Sequence, residues 1–345
     1  MRPSPPRRKA RSVLQGLQQA LRLPFAAAFF CLIASAATAD TRSEGAALVS
    51  AVVRLTAEVP PDARTAAGLG TQRDGNGVVI DDSGLILTIG YLILEAMTVT
   101  AYTADGKPVP ADILAYDYDT GFGLVRALGP LAASPVRLGD STALEEGEPV
   151  LVVASGGRSQ TLGAFVVDLR EFAGYWEYLL ERAVFTSPPH PNWGGAALLN
   201  RQGRLVGIGS LLVQDAMRGA QTLPGNMFVP VEILRPILAD LLGGTEAGPR
   251  RPWLGIIGSE GRDGVVVVRV APDGPAARAG IRRGDVIRAV SGTRTRTMAE
   301  MYRKLWALGD AGIEVPLSVH RGESRREITV RSGDRYRYLK LDRAY

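Results

Sequence analysis

Cysteine is nearly absent from this chain of 345 residues: the single one, Cys31, lies in an apolar run near the N-terminus. Everything after it lacks a thiol, which excludes disulfide staples and thiolate metal ligands from the body of the protein. Histidine is almost as scarce, with only His190 and His320. Since no His or carboxylate spacing suits a metal either, no metal or other cofactor is expected. Between Asp40 and Pro249 the only lysine is Lys107, set in an Asp-Gly-Lys-Pro turn, so a serine-lysine dyad has no suitable base. Glycine-rich pieces such as Ser155-Gly-Gly-Arg158 lack the lysine and following helix of a phosphate loop, which removes nucleotide binding.

What is present at the N-terminus is a targeting pattern. Arg2, Arg7, Arg8, Lys9, Arg11 and Arg22 precede an apolar run from Leu23 to about Ala36, and Ala37-Thr38-Ala39 supplies small residues for a signal peptidase. Residues 1–39 therefore read as a signal peptide cleaved before Asp40. The run is short against the ~20 residues of a membrane span, and no stable span is expected after cleavage. Of the 40 Lys and Arg residues six lie in this segment and no Asp or Glu does, leaving 34 basic against 35 acidic groups in residues 40–345. A nucleic-acid partner thereby loses its support. The charge is also divided: residues 250–345 hold 20 basic and 11 acidic groups, residues 40–249 hold 14 and 24. Two differently charged modules are implied.

From Gly75 the pattern is strongly β. Gly75-Asn-Gly-Val-Val-Ile80 and Leu85-Ile-Leu-Thr88 flank the polar turn Asp81-Asp-Ser-Gly84, and short apolar runs follow at Val99–Thr103, Val109–Tyr116, Gly123–Ala127, Val150–Ala154 and Leu162–Leu169. Such spacing predicts closed or sandwiched antiparallel sheets. Gln221–Pro230 reads as one more strand and Val231–Leu242, ending at Gly243-Gly244, as a helix. The chain is organised around Ser187–Ile208, a proline- and glycine-bounded loop feeding a hairpin with an Asn-Arg-Gln-Gly turn. A loop held this firmly suits an active-site turn, and equally an ordinary hairpin corner.

In this order these segments resemble the HtrA (Deg) family of trypsin-like serine proteases. Gly75 to Thr88 resembles the approach to that family's catalytic histidine and Tyr116-Asp-Tyr-Asp-Thr-Gly-Phe-Gly-Leu-Val-Arg126 its aspartate segment. His190-Pro-Asn-Trp-Gly-Gly-Ala-Ala-Leu-Leu-Asn200 is similar to its nucleophile loop, and Gly225-Asn-Met-Phe-Val-Pro230 to its final barrel strand. The resemblance implies a mainly β fold, two six-stranded antiparallel β-barrels of the trypsin type followed by an α+β PDZ domain, a periplasmic location and a possible homotrimer.

At the positions matched to the triad the residues differ. Tyr91 stands for the histidine, Gly121 for the aspartate and Gly194 for the serine; Asn192 replaces the glycine two before the nucleophile, followed by the bulky Trp193. Acyl transfer needs a hydroxyl, a base in reach of it and oxyanion donors. His190 lies on the nucleophile loop itself, where reaching round to act as base is awkward, and His320 falls in the second module. The expectation is a pseudoprotease with no catalytic residue; an active serine endopeptidase is the alternative, and its required serine is missing.

Past a linker, residues 244–251, the run Pro272-Asp-Gly-Pro-Ala-Ala-Arg-Ala-Gly-Ile-Arg-Arg-Gly-Asp-Val-Ile-Arg-Ala-Val290 closely resembles a PDZ signature. The divisions are thus residues 40–243 for the barrels, 252–335 for the PDZ domain and 336–345 for a tail. PDZ domains take an extended C-terminal peptide as an added strand, with backbone amides holding its carboxylate. By resemblance Trp253, Leu254, Gly255 and Ile256 form the carboxylate loop and strand edge, with Met301 and Leu305 facing them unless they are only core. The partners implied are peptides or unfolded proteins with free C-termini, bound in a scaffold, regulatory or holdase role in envelope quality control.

Overall fold

The computed structural model describes residues 45–219, 222–243 and 250–339. The signal peptide expected over 1–39, and most of the expected linker, lie outside them. Strands Val52–Glu58 (β1), Gln72–Val79 (β2), Leu85–Ile89 (β3), Thr98–Tyr102 (β4), Pro108–Tyr116 (β5) and Phe122–Ala127 (β6) close into a barrel in the order β1-β2-β3-β6-β5-β4. Pro149–Val153 (β7), Thr161–Gly174 (β8), Tyr178–Ser187 (β9), Ala197–Leu199 (β10), Leu205–Met217 (β11) and Leu223–Pro230 (β12) close into a second, ordered β10-β11-β12-β9-β8-β7. Alternation explains β1, which buries one face. By contrast β3 is buried at every position, because one apolar cluster joins residues of both barrels, from Ile86, Leu87 and Phe122 to Phe185, Leu205 and Met227.

Two sequence expectations change. The single helix over Val231–Leu242 is instead a 3-10 turn, Val231–Leu234, and a short helix, Leu238–Leu242. Pro236 falls between them, and proline has no N–H to continue the ladder. The expected tail opens as the helix Arg335–Leu339. Its Tyr336 Oη accepts from Tyr118 N at 2.8 Å, and its Arg335 donates to Trp176 O at 2.8 Å, so it is tied to the barrels.

In the second module Ile256–Gly261 (β13), Gly264–Val270 (β14), Val286–Val290 (β15), Thr293–Arg294 (β16), Glu314–Arg321 (β17) and Ser324–Arg331 (β18) form one sheet, ordered β13-β14-β15-β17-β18 with β16 on β15. The helix Met298–Trp306 starts at Thr297, whose side chain accepts from Glu300 N at 3.1 Å, while Glu300 accepts from Arg296 N at 2.9 Å. The first is the N-cap bond that a Thr-x-x-Glu spacing supplies; the second reaches one residue further back, to the amide before the cap. Among the described residues no helix is long and apolar enough to cross a membrane.

Candidate functional site

The loop at 187–196 is held from three sides. His190 is buried; its N–H donates to Asn226 Oδ1 at 2.6 Å, its Nδ1 accepts from Asn192 N at 3.0 Å, and its ring also bonds the Gln160 backbone. Burial lowers its pKa, so the imidazole is neutral, with its lone pair spent on a loop amide. Asn76 on β2 donates through Nδ2 to Asn192 O at 3.1 Å and Gly194 O at 2.9 Å, and accepts from Ser155 N at 2.8 Å. Gly195 has φ +75, and a Cβ there would stand 1.9 Å from Asn76 O. Only glycine lets the loop lie this close to β2.

The three positions matched to a triad lie in one neighbourhood. A Cβ built on Gly194 would stand 3.0 Å from Tyr91 Oη, and Gly90 beside Tyr91 donates to Gly121 O at 2.7 Å. The Tyr91 phenol donates to Ser210 O at 2.9 Å and bonds the Trp193 indole. Burial holds its pKa above the ordinary tyrosine range, so it stays protonated. The amide of Asn192, which occupies an oxyanion-donor position by the family match, is committed to His190. Gly121 has φ +81, and a Cβ there would meet Tyr178 Oη at 3.1 Å.

The second cluster is built on residues 254–256, the segment expected to form the carboxylate loop. The amides of Leu254, Gly255 and Ile256 donate to the Glu177 carboxylate at 2.9, 2.7 and 2.9 Å. Glu177 sits at the tip of the β8–β9 hairpin and is 3% exposed. Burial raises its pKa to about 7, against the three amide bonds, which lower it. Trp253 pairs with Gly333, closing the module's ends. Met301 and Leu305 are fully buried in the module's apolar cluster. The residue that reaches the hairpin is Tyr302, whose hydroxyl donates to Gly174 O at 2.7 Å and accepts from Glu177 N at 3.3 Å.

Sequence reasoning missed Glu177, Tyr302 and Arg335. The only signal for the first was a lone carboxylate inside the apolar, aromatic run Phe172-Ala-Gly-Tyr-Trp-Glu-Tyr-Leu-Leu180, where an unpaired charge is costly. Tyr302 was hidden within a helix read for its apolar stripe.

Fold and site together define a trypsin-like double barrel joined to a PDZ module. A family described as a trypsin-like peptidase domain matches residues 75–208, and one described as a PDZ domain matches 252–331. The putative serine protease HhoA of Synechocystis sp. is 29% identical over 300 residues, 79% of this chain and 73% of its own length. The periplasmic pH-dependent serine endoprotease DegQ of Escherichia coli is 26% identical over 272 residues, 74% of this chain but 58% of its own length. Among solved structures the HtrA-type protease AlgW with a decapeptide has a TM-score of 0.50 at 18% identity, covering 83% of this chain and 96% of that one, a likeness of fold. The matches support an HtrA/Deg-type chain, a trypsin-like serine protease domain with a C-terminal PDZ domain.

Proposed function

We propose that this chain is an exported, periplasmic HtrA/Deg homologue that does not catalyse acyl transfer and binds peptides or unfolded proteins by their free C-termini through its PDZ groove, as a scaffold, regulator or holdase. A homotrimer is part of this reading, on the family resemblance. The single observation that carries it is at position 194, where among the described residues a Cβ built on the glycine would have only the Tyr91 phenol within 4 Å, a phenol that burial keeps protonated. The periplasmic naming of relatives such as DegQ supports the location.

Purified wild-type chain is expected to leave casein intact and to take no label from a fluorophosphonate probe. Gly194→Ser alone changes nothing, having no base. Combining Tyr91→His, Gly121→Asp and Gly194→Ser is expected to recover at most a trace, because an aspartate at φ +81 against Tyr178 Oη costs on the order of 1–2 kcal/mol, roughly a tenfold effect, and the Asn192 amide stays committed to His190. Labelling of the wild type that one substitution abolishes would overturn the reading.

A further inference from the structure

The expected carboxylate loop is filled from within the chain by a segment that pairs with a strand edge, presents a carboxylate and buries an apolar side chain. Its backbone pairs with the edge of β13 that β14 leaves open: Gly258 N donates to Tyr175 O at 3.1 Å. Two residues on in the hairpin, Glu177 reaches Ile256, two residues back in the module, so the two run antiparallel. The Glu177 side chain supplies the carboxylate that three amides hold. Leu179 supplies an apolar side chain, buried in the same cluster as Leu254 and Ile256. A peptide stops at its carboxylate, whereas a hairpin must turn away there, and Glu177 does so at φ +59, a left-handed conformation few non-glycine residues adopt.

A carboxylate is a poor choice for mere packing. Burying one beside neutral amides is costly, and an apolar residue of that size would close a domain contact more cheaply. The arrangement makes sense where the cradle is already shaped for a carboxylate.

We propose that the PDZ groove holds the β8–β9 hairpin as an internal ligand, the Glu177 side chain standing in for a ligand's terminal carboxylate, so that a free C-terminus binds only by displacing the hairpin. This rests on the reading of the groove as a C-terminal peptide site. The apparent affinity for a peptide is then the intrinsic affinity scaled by the open fraction.

Two measurements on the full mature chain test the latch and the peptide reading separately. The first is amide hydrogen exchange of residues 254–258, with β11 and β12 as fold reference. Glu177→Ala is expected to lose protection at 254–258 alone, and Tyr302→Phe, which removes one hydroxyl from an otherwise intact hairpin, to lose less in the same direction. The second is fluorescence anisotropy with a fluorescein-labelled decapeptide ending Gly-Tyr-Trp-Leu, whose terminal carboxylate would replace the Glu177 side chain, and with its C-terminal amide. The acid form should bind Glu177→Ala at least ten-fold more tightly than wild type, and the amide form should bind neither well. Unchanged exchange in both variants overturns the latch whatever the peptides do, and Tyr302→Phe decides the point if Glu177→Ala misfolds. Equal affinity of wild type and Glu177→Ala for the acid form also overturns the latch while leaving the peptide reading. Lost protection with no binding by any form upholds the latch and overturns the peptide reading.

Discussion

Two buried titratable groups, Glu177 and His190, pull the molecule in opposite directions with pH. Glu177 is raised from 4.5 to about 7 by burial when docked, so docking takes up a proton. Its contribution is complete below the free value and is lost as pH rises through about 7. The groups around it are the Tyr302 phenol, itself held protonated by burial, with Glu260 beyond, and Arg335 on the carbonyl of the preceding Trp176. His190 is lowered from 6.5 by burial, so it stabilises the loop at 187–196 above that value and the contribution is lost as pH falls below it. Wild-type affinity for the acid-form decapeptide is expected to rise between pH 5.5 and 8 relative to Glu177→Ala, which supplies the reference for the peptide's own titration. A flat ratio across that range would remove Glu177 as the titrating group.

Among the elements, the helix Arg335–Leu339 ties the PDZ module to the barrels through Arg335 and Tyr336. The Arg335 guanidinium lies over the Tyr118 ring and donates to Trp176 O; burial lowers its pKa to about 9, leaving it charged at neutral pH. Arg335→Ala should cost on the order of 2 kcal/mol from the lost cation–π contact and hydrogen bond, seen as a lower urea midpoint with the barrel strands unaltered. Lysine should not rescue it, lacking the planar fork that stacks and donates at once. This helix shows where sequence reading stops. The barrel strands were legible because each carries its own two-residue period and turn residues. Tyr91, Gly121 and Gly194 could be singled out together because strand and glycine spacing fixes positions locally, and the three do lie in one neighbourhood. Arg335 and Glu177 act on elements more than 150 residues away in sequence or in another module, and nothing local in Trp-Glu-Tyr or Arg-Tyr-Arg-Tyr announces a distant partner. Met301 and Leu305 gave the right helix, but its period alone did not choose which face meets the hairpin.

Over the whole molecule the divided charge has a visible use. The basic module reaches the acidic barrels through Arg251–Asp119 and Arg303 with Glu171 and Glu181, while Arg64–Asp273 pairs the other way round, an arginine of the barrels with an aspartate of the basic module. These pairs are exposed or half-buried, worth roughly 0–1 kcal/mol each where exposed, and screened at 1 M salt, where the Debye length is about 3 Å. Raising NaCl from 0.05 to 1 M should therefore quicken exchange at residues 254–258 several-fold and leave β11 and β12 unchanged; equal rates would mean that the contact is apolar in origin. Hairpin and groove are parts of a single chain, and that linkage has an arithmetic of its own. A tethered ligand is present at an effective concentration on the order of millimolar, whereas a free C-terminus in a small groove binds in the micromolar range. A lone stray terminus is outcompeted at such odds. The groove then answers to how crowded its compartment is with chain ends, filling gradually as they accumulate towards the raised apparent Kd and staying largely closed while they are rare.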